Sequence, residues 1–276
     1  MKAKYLPLAI LMLFLTHTEL KAQFGFSHEI GFITGPVAFQ SDYGERSDFE
    51  TNAGNVGFGI GIVHYLNFSY RADCNCYSRD TYFNDHFKVR NEIDYHVTNL
   101  NNFGPEASDD DFGGLKLRNH NGKAKVLELG TQLEYFPMSI RDFAAGVYKI
   151  APYFSFGAHF VSYNPEISSD FENYNGLNSQ VQNPNTGQFE SVFFQGFLPG
   201  DGKFGGLDDS PGSTWAITFS TGIRYKLSAY SDLLLDARWH YYTSNWVDGL
   251  NPDPRPVNRA NDWIFWLNVG YIYYLD

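Results

Sequence analysis

Eight stretches of this chain, each ten residues or longer, alternate apolar with polar or small side chains at a period of two, and Gly, Pro, Asn, Asp or Ser clusters bound each one. The clearest is HFKVRNEIDYHV, residues 86–97, where Lys88, Arg90, Glu92, Asp94 and His96 interleave with Phe87, Val89, Ile93, Tyr95 and Val97. At about 100° per residue these apolar side chains scatter around a helical wheel, whereas at about 180° all share one face. The stretch is a strand.

The other seven lie at about 24–34, 55–68, 123–136, 147–163, 213–227, 231–244 and 261–275. In the first, Phe24, Phe26, Ile30 and Phe32 oppose Ser27, Glu29 and Gly31; in the second, Phe58, Ile60 and Ile62 oppose Gly57, Gly59 and Gly61. Leu127, Leu129 and Leu133 oppose Glu128, Gln132 and Glu134, and Phe154, Phe156 and Phe160 oppose Tyr153, Ser155 and His159. Further on, Ile217, Phe219 and Ile223 oppose Ser220, Arg224 and Lys226, and Leu233, Leu235 and Trp239 oppose Asp236, Arg238 and His240.

Strands of a soluble sandwich average about five or six residues and turn their charged face to water. These segments are longer, and match tilted membrane strands, which need about 9 to 11 residues to cross the hydrocarbon. The connections run long and short in alternation, with residues 69–84 the least convincing turn. The expectation is an all-β fold: an antiparallel, eight-stranded transmembrane β-barrel with long extracellular loops. Its apolar faces then meet lipid, and its charged faces point into a lumen narrow enough for side chains to fill.

Lys2 and Lys4 precede an apolar run, Leu6 to Leu15, and a polar stretch ending at Ala22, which reads as a secretory signal peptide over residues 1–22. Residues 23–276 then form a single barrel domain, exported to the outer membrane. Gln23 stands where a lipoprotein would need Cys.

The net charge is −11, and the expected outer loops 35–54, 98–122, 164–212 and 245–260 account for all of it. The strands are therefore balanced, and the inward set includes Lys88, Arg90, Glu92, Asp94, Glu128, Glu134, Arg224, Lys226, Asp236, Arg238 and His240. Buried charges require partners, so a closed, salt-bridged plug is expected in place of an open pore.

Several local motifs have ordinary explanations. GFGIGI, residues 57–62, lacks the third glycine of a dinucleotide fingerprint and no helix signal follows, so inward glycines making room for bulky neighbours account for it. SDDDFGG, residues 108–114, places His120, Asn121 or Gly122 where a calcium loop needs its final Glu. Cys74 and Cys76, with His86, fall short of a tetrahedral zinc set. His240 and Ser244 share a face but stand about 13 Å apart along a strand, and His159 and Ser162 lie on opposite faces. No cofactor, metal or catalytic residue is implied.

FSHEIGFITGPVAFQSDYGER (26–46), CNCYSRDTYFNDHFKVRNEIDYH (74–96), LEYFPMSIRDF (133–143) and NDWIFWLNVGYIYYL (261–275) resemble a family of small outer-membrane β-barrel proteins of Bacteroidota, some of which carry the label glutamate dehydrogenase. That label would demand a dinucleotide-binding unit and no signal peptide. The expected function is a non-enzymatic barrel docking to an envelope complex of the barrel-assembly or secretion type. A narrow porin or small-ligand carrier, or a lipid-modifying enzyme, is the alternative. Outer-membrane lipids, lipopolysaccharide and envelope proteins held through loops and turns are the expected partners, and nucleic acid is not. Val192, Phe193, Phe194, Phe197 and Leu198 suggest an interface or a folded cap in loop 164–212.

Overall fold

The computed structural model describes residues 27–46, 48–69, 82–194, 198, 206–251 and 261–275. The signal-peptide segment, Phe24, Phe26, Cys74, Cys76 and Phe197 lie outside these residues.

The strands, in chain order, are β1 (Ser27–Gln40), β2 (Val56–Asn67), β3 (Phe87–Asn101), β4 (His120–Tyr135), β5 (Ile150–Tyr163), β6 (Glu166–Ser169), β7 (Gln180–Gln182), β8 (Phe189–Ser191), β9 (Gly212–Ser228), β10 (Ser231–Tyr242) and β11 (Trp263–Tyr274). Eight of them close a ring: β1 pairs with β2, β2 with β3, β3 with β4, β4 with β5, β5 with β9, β9 with β10, β10 with β11, and β11 with β1, all antiparallel. Closure matters because the ladder has no edge, so the backbone donors and acceptors of the wall are paired within it. The molecule is a closed, antiparallel, eight-stranded β-barrel, as the period-two segments require.

Each strand presents alternate residues outward. Ile62, Ile93 and Phe156 are 56%, 55% and 64% exposed, while Lys88, Arg90 and Asp94 on the inward face are at most 1% exposed. A wall of Leu, Ile, Val and Phe this wide has no use in water and suits hydrocarbon. Aromatic side chains gather toward both rims: Trp215, Trp239 and Tyr241 at one, Tyr225, Tyr271 and Tyr273 at the other. Trp239 packs on Phe265 with ring centroids 4.9 Å apart, and Trp215 on Phe160 at 5.7 Å. Such belts mark the levels where a barrel wall meets an interface.

Residues 27 and 275 sit at one end, hereafter the turn end, together with the connections 68–86, 136–149 and 229–230. The opposite, loop end carries 41–55, 102–119, 164–211 and 243–262. The long-short alternation is imperfect, since 68–86 matches the shorter loops in length. β1 also runs to Gln40, six residues past the expected end, its ladder to β11 continuing with Val37 and Phe39 inward and buried as Ile33 is.

Short helices close the two ends. At the turn end a helix at Ile140–Ala144 starts from Ser139, whose hydroxyl accepts from the Asp142 N–H, and lays Ile140 and Phe143 over the lumen beside Phe136. At the loop end Asp111 caps a helix at Phe112–Arg118, accepting from the Gly114 N–H at 2.7 Å. The acidic run 109–111 is thus partly a capping element, with Asp109 and Asp110 in solvent. β6 extends β4 above the barrel, and β7 and β8 form a hairpin. Val192 and Phe193 are fully buried and pack with Ile167, Phe171 and Tyr174. That segment is a folded cap over the loop end: residues 192 and 193 are core, not an exposed patch.

Candidate functional site in the barrel lumen

The inward positions of β1, β3, β4, β9 and β10 converge on the axis, and their register stacks the charged side chains in tiers. Nearest the turn end, Glu29 receives Lys88 Nζ at 2.5 Å and Arg224 Nη1 at 2.6 Å. Arg224 spans the lumen to Glu134 at 3.2 Å, and Arg90 meets the other oxygen of Glu134 at 2.8 Å. Lys226 and Tyr274 serve Asp232, the tyrosine hydroxyl donating at 2.5 Å.

One tier up, Arg238 holds Asp236 at 2.8 Å, Glu92 at 3.0 Å and Asp94 at 3.4 Å, while Arg90 Nε lies 3.3 Å from Glu92. The guanidinium planes also lie over aromatic rings: Arg224 is 4.1 Å from the Tyr65 centroid and Arg238 is 5.0 Å from that of Trp266. Arg suits this work because its planar fork bonds several carboxylates while its faces stack.

Above the arginines the chemistry changes. Glu128 lies at the centre of a layer of three histidines and a tyrosine. His240 Nδ1 is 2.6 Å and His159 Nδ1 is 2.8 Å from Glu128 Oε2, and His96 Nε2 is 3.2 Å from Oε1. The Tyr242 hydroxyl donates to Oε1 at 2.9 Å. His159 turns its other nitrogen to Glu92 Oε1 at 2.8 Å. Above this layer Val37, Phe39, Leu100, Val126 and Ile264 form an apolar seal beneath the cap.

Two glycines admit these side chains. A Cβ on Gly130 would collide with the His159 ring, and one on Gly59 would stand 2.9 Å from the Trp266 indole. The glycine of GFGIGI at position 59 therefore gives up its side chain to an inward tryptophan.

Among the described lumen side chains, the seven carboxylates of Glu29, Glu92, Asp94, Glu128, Glu134, Asp232 and Asp236 outnumber the five cations of Lys88, Arg90, Arg224, Lys226 and Arg238, so the balance expected from the loop charges is not met, because the basic residues 1–22 entered that sum. Pairs this deeply buried contribute little net stability, but loss of one partner strands the other's charge. The described cavity is at the turn end, about 330 Å³, and is lined by Glu29, Lys88, Arg141, Phe143, Tyr230 and Tyr274 among others.

The residues of the inward set named from sequence all lie in the lumen and are buried. Tyr65, Tyr242, Asp232 and Trp266 join them, although the alternation alone does not single them out. Their parity is a usable signal, since 232 and 242 continue the positions of 236, 238 and 240. Equating aromatic character with the lipid face fails in a barrel narrow enough to need large inward side chains. The Ser and His pairs do not assemble: His159 points inward and Ser162 is exposed, and the Ser244 hydroxyl accepts from the Trp246 N–H.

A second buried acidic group ties the loop end together. Asp248 accepts from the Asp42 and Leu250 N–H groups, both at 2.8 Å, Asp262 accepts from the Val247 N–H at 3.1 Å, and Arg46 pairs with Asp42 at 2.8 Å. Burial, with Asp42 close by, pushes the Asp248 carboxyl well above the usual carboxylate range. Burial does the same to Asp262, helped by Asp248 and Asp42.

No protein-family model matches the chain, and no curated protein matches it by sequence. Solved structures similar to it include Neisserial surface protein A, at 13% identity over 89% of this chain and 96% of that one, with a TM-score of 0.43. A major outer membrane protein from Thermus thermophilus gives 10% identity over 90% and 99%, with a TM-score of 0.44. The outer membrane protein OprG from Pseudomonas aeruginosa gives 13% over 90% and 97%, with a TM-score of 0.38. The barrel assignment here rests on the closed strand order itself.

Proposed function

We propose that this chain is an integral outer-membrane barrel without enzymatic activity, a structural or accessory subunit that docks onto an envelope complex of the barrel-assembly or secretion type. The observation that carries the reading is the lumen, whose cross-section is occupied by Arg90, Arg224, Arg238 and their carboxylates, each at most 2% exposed, inside an apolar wall. A barrel filled in this way has nothing to conduct and no nucleophile paired with a base. Its available surfaces are the lipid-facing wall, the acidic cap and the turns. Lipid and lipopolysaccharide then contact the wall and rim, and envelope proteins contact the cap and turns.

Solubilisation of membranes in mild detergent, followed by capture of a tagged chain, tests the docking. Stoichiometric co-purification of other envelope proteins is expected, and recovery of the barrel alone from preparations that retain other envelope complexes refutes it. In planar bilayers the refolded chain is expected to give no single-channel steps; discrete conductance supports a narrow porin in its place.

A further inference from the structure

We propose that the histidine layer is a binding site for a divalent first-row transition metal, Zn²⁺ by its donor chemistry, with Glu128, His159 and His240 as ligands. The inference stands apart from docking and goes beyond it. Glu128, His159 and His240 each offer a ligand atom within 4.8 Å of the others, and all are fully buried. Two imidazoles and one carboxylate form a nitrogen-oxygen set of the kind zinc takes with a fourth position left open, with bonds of about 2.0 to 2.2 Å. Donors around a tetrahedral ion at such lengths stand about 3.3 Å apart. The His240 and His159 contacts to Glu128 Oε2, 2.6 and 2.8 Å, lie a little inside that spacing, and the three ligand atoms are all within 4.8 Å of one another.

The surroundings match a metal site as well. With His159 Nδ1 toward the ion, its Nε2 donates to Glu92, the carboxylate-histidine-metal relay that orients ligands and raises their basicity. Tyr242 supplies the corresponding bond to Glu128.

Charge provides an independent argument. The lumen holds two more carboxylates than Lys and Arg cations among the described residues; Glu92 and Asp94 of the upper tiers share Arg238, and Glu128 meets no arginine among the described contacts. Protonated histidines would close the gap only where both ring nitrogens have acceptors. His159 has two, but His240 Nε2 and His96 Nδ1 have no hydrogen-bond partner among the described residues. An imidazolium at His159 meets one of the two surplus charges, whereas a divalent ion balances both; bound through Nδ1, His240 would still bury its remaining N–H unpartnered, at a cost.

The three ligands come from β4, β5 and β10, so the site exists only when the barrel has formed, and binding must stabilise the closed state. The test is to refold the untagged chain in detergent, load it with Zn²⁺ or Co²⁺, remove free metal and measure bound ion by mass spectrometry. One ion per chain is expected in the heat-shifted, folded fraction. Co²⁺ should show the visible bands of a tetrahedral nitrogen-oxygen site, and the temperature at which the gel shift is lost should rise with metal. His240→Phe and His159→Phe should weaken binding by about tenfold or more, with either one serving if the other fails to fold, while His96→Phe should bind nearly as before. An Asp248→Asn/Asp262→Asn double variant should bind as before. Folded wild-type chain that retains no stoichiometric ion overturns the proposal, as does binding that survives both His240→Phe and His159→Phe and is lost in the aspartate variant.

Discussion

The two halves of the lumen solve the same problem differently. Toward the turn end, fixed cations meet carboxylates directly: Arg224 bridges Glu29 and Glu134, and Arg90 and Arg238 share Asp236 and Glu92. Toward the loop end one carboxylate, Glu128, is surrounded by three imidazoles and a phenol, and no arginine reaches it among the described contacts. The first arrangement is locked, because a guanidinium does not give up its charge. The second is adjustable, because imidazole changes its proton and its ligand with conditions. A narrow barrel can therefore be filled rigidly at one level and responsively at another.

The largest expected effect breaks the locked half. Arg224→Met leaves Glu29 and Glu134 short of a cation and should cost about 3 to 5 kcal/mol, read as a lowered urea midpoint of the heat-shifted band. His96→Phe in apo protein should cost far less, and equal losses would erase the distinction between the halves. Next in size is Ile93→Arg, on the outer face of β3 between the inward Glu92 and Asp94. It should cost about 2 to 4 kcal/mol if it lies near the bilayer midplane, measured by refolding into lipid vesicles. Full tolerance there would mean that the outer wall does not meet lipid.

Gly130→Ala presses on the His159 ring and should cost about 1 to 3 kcal/mol. It sharpens the contrast by disturbing the adjustable layer alone, so imidazole resonances should shift while the Arg90 and Arg224 contacts stay. The smallest effect is a pH dependence at the loop end. Asp248 and Asp262 hold their protons in the fold to higher pH than in the unfolded chain, where carboxyls release them near 3.8. Folding thus takes up protons, and their contribution is most favourable at acid pH and declines as pH rises through the elevated folded values. Proteolysis of the cap should be slower at about pH 5 than at about pH 8, and Asp248→Asn/Asp262→Asn should flatten the difference.

Much of this was legible in the chain. Alternation over long segments specifies strands, and its direction in β3 assigns Lys88, Arg90, Glu92 and Asp94 to one face because no other face of that strand is polar. The end of β1 and the inward Trp266 were not legible, and of the two readings open for Val192 and Phe193, an interface or a folded cap, only the structure selects the cap. Period two says that two faces differ, but where both are apolar, as at Val37 and Phe39, it does not say which is inside.

Sequence by itself determined the strand count, the side of each strand that carries charge, and the acidity of the loops, since these follow from local periodicity and composition. Only the tertiary structure decided which charges meet. Arg224 and Glu29 are 195 residues apart, and the side chains that surround Glu128 come from three other strands. Ring closure and register set such distances, and both depend on the pairing of distant segments.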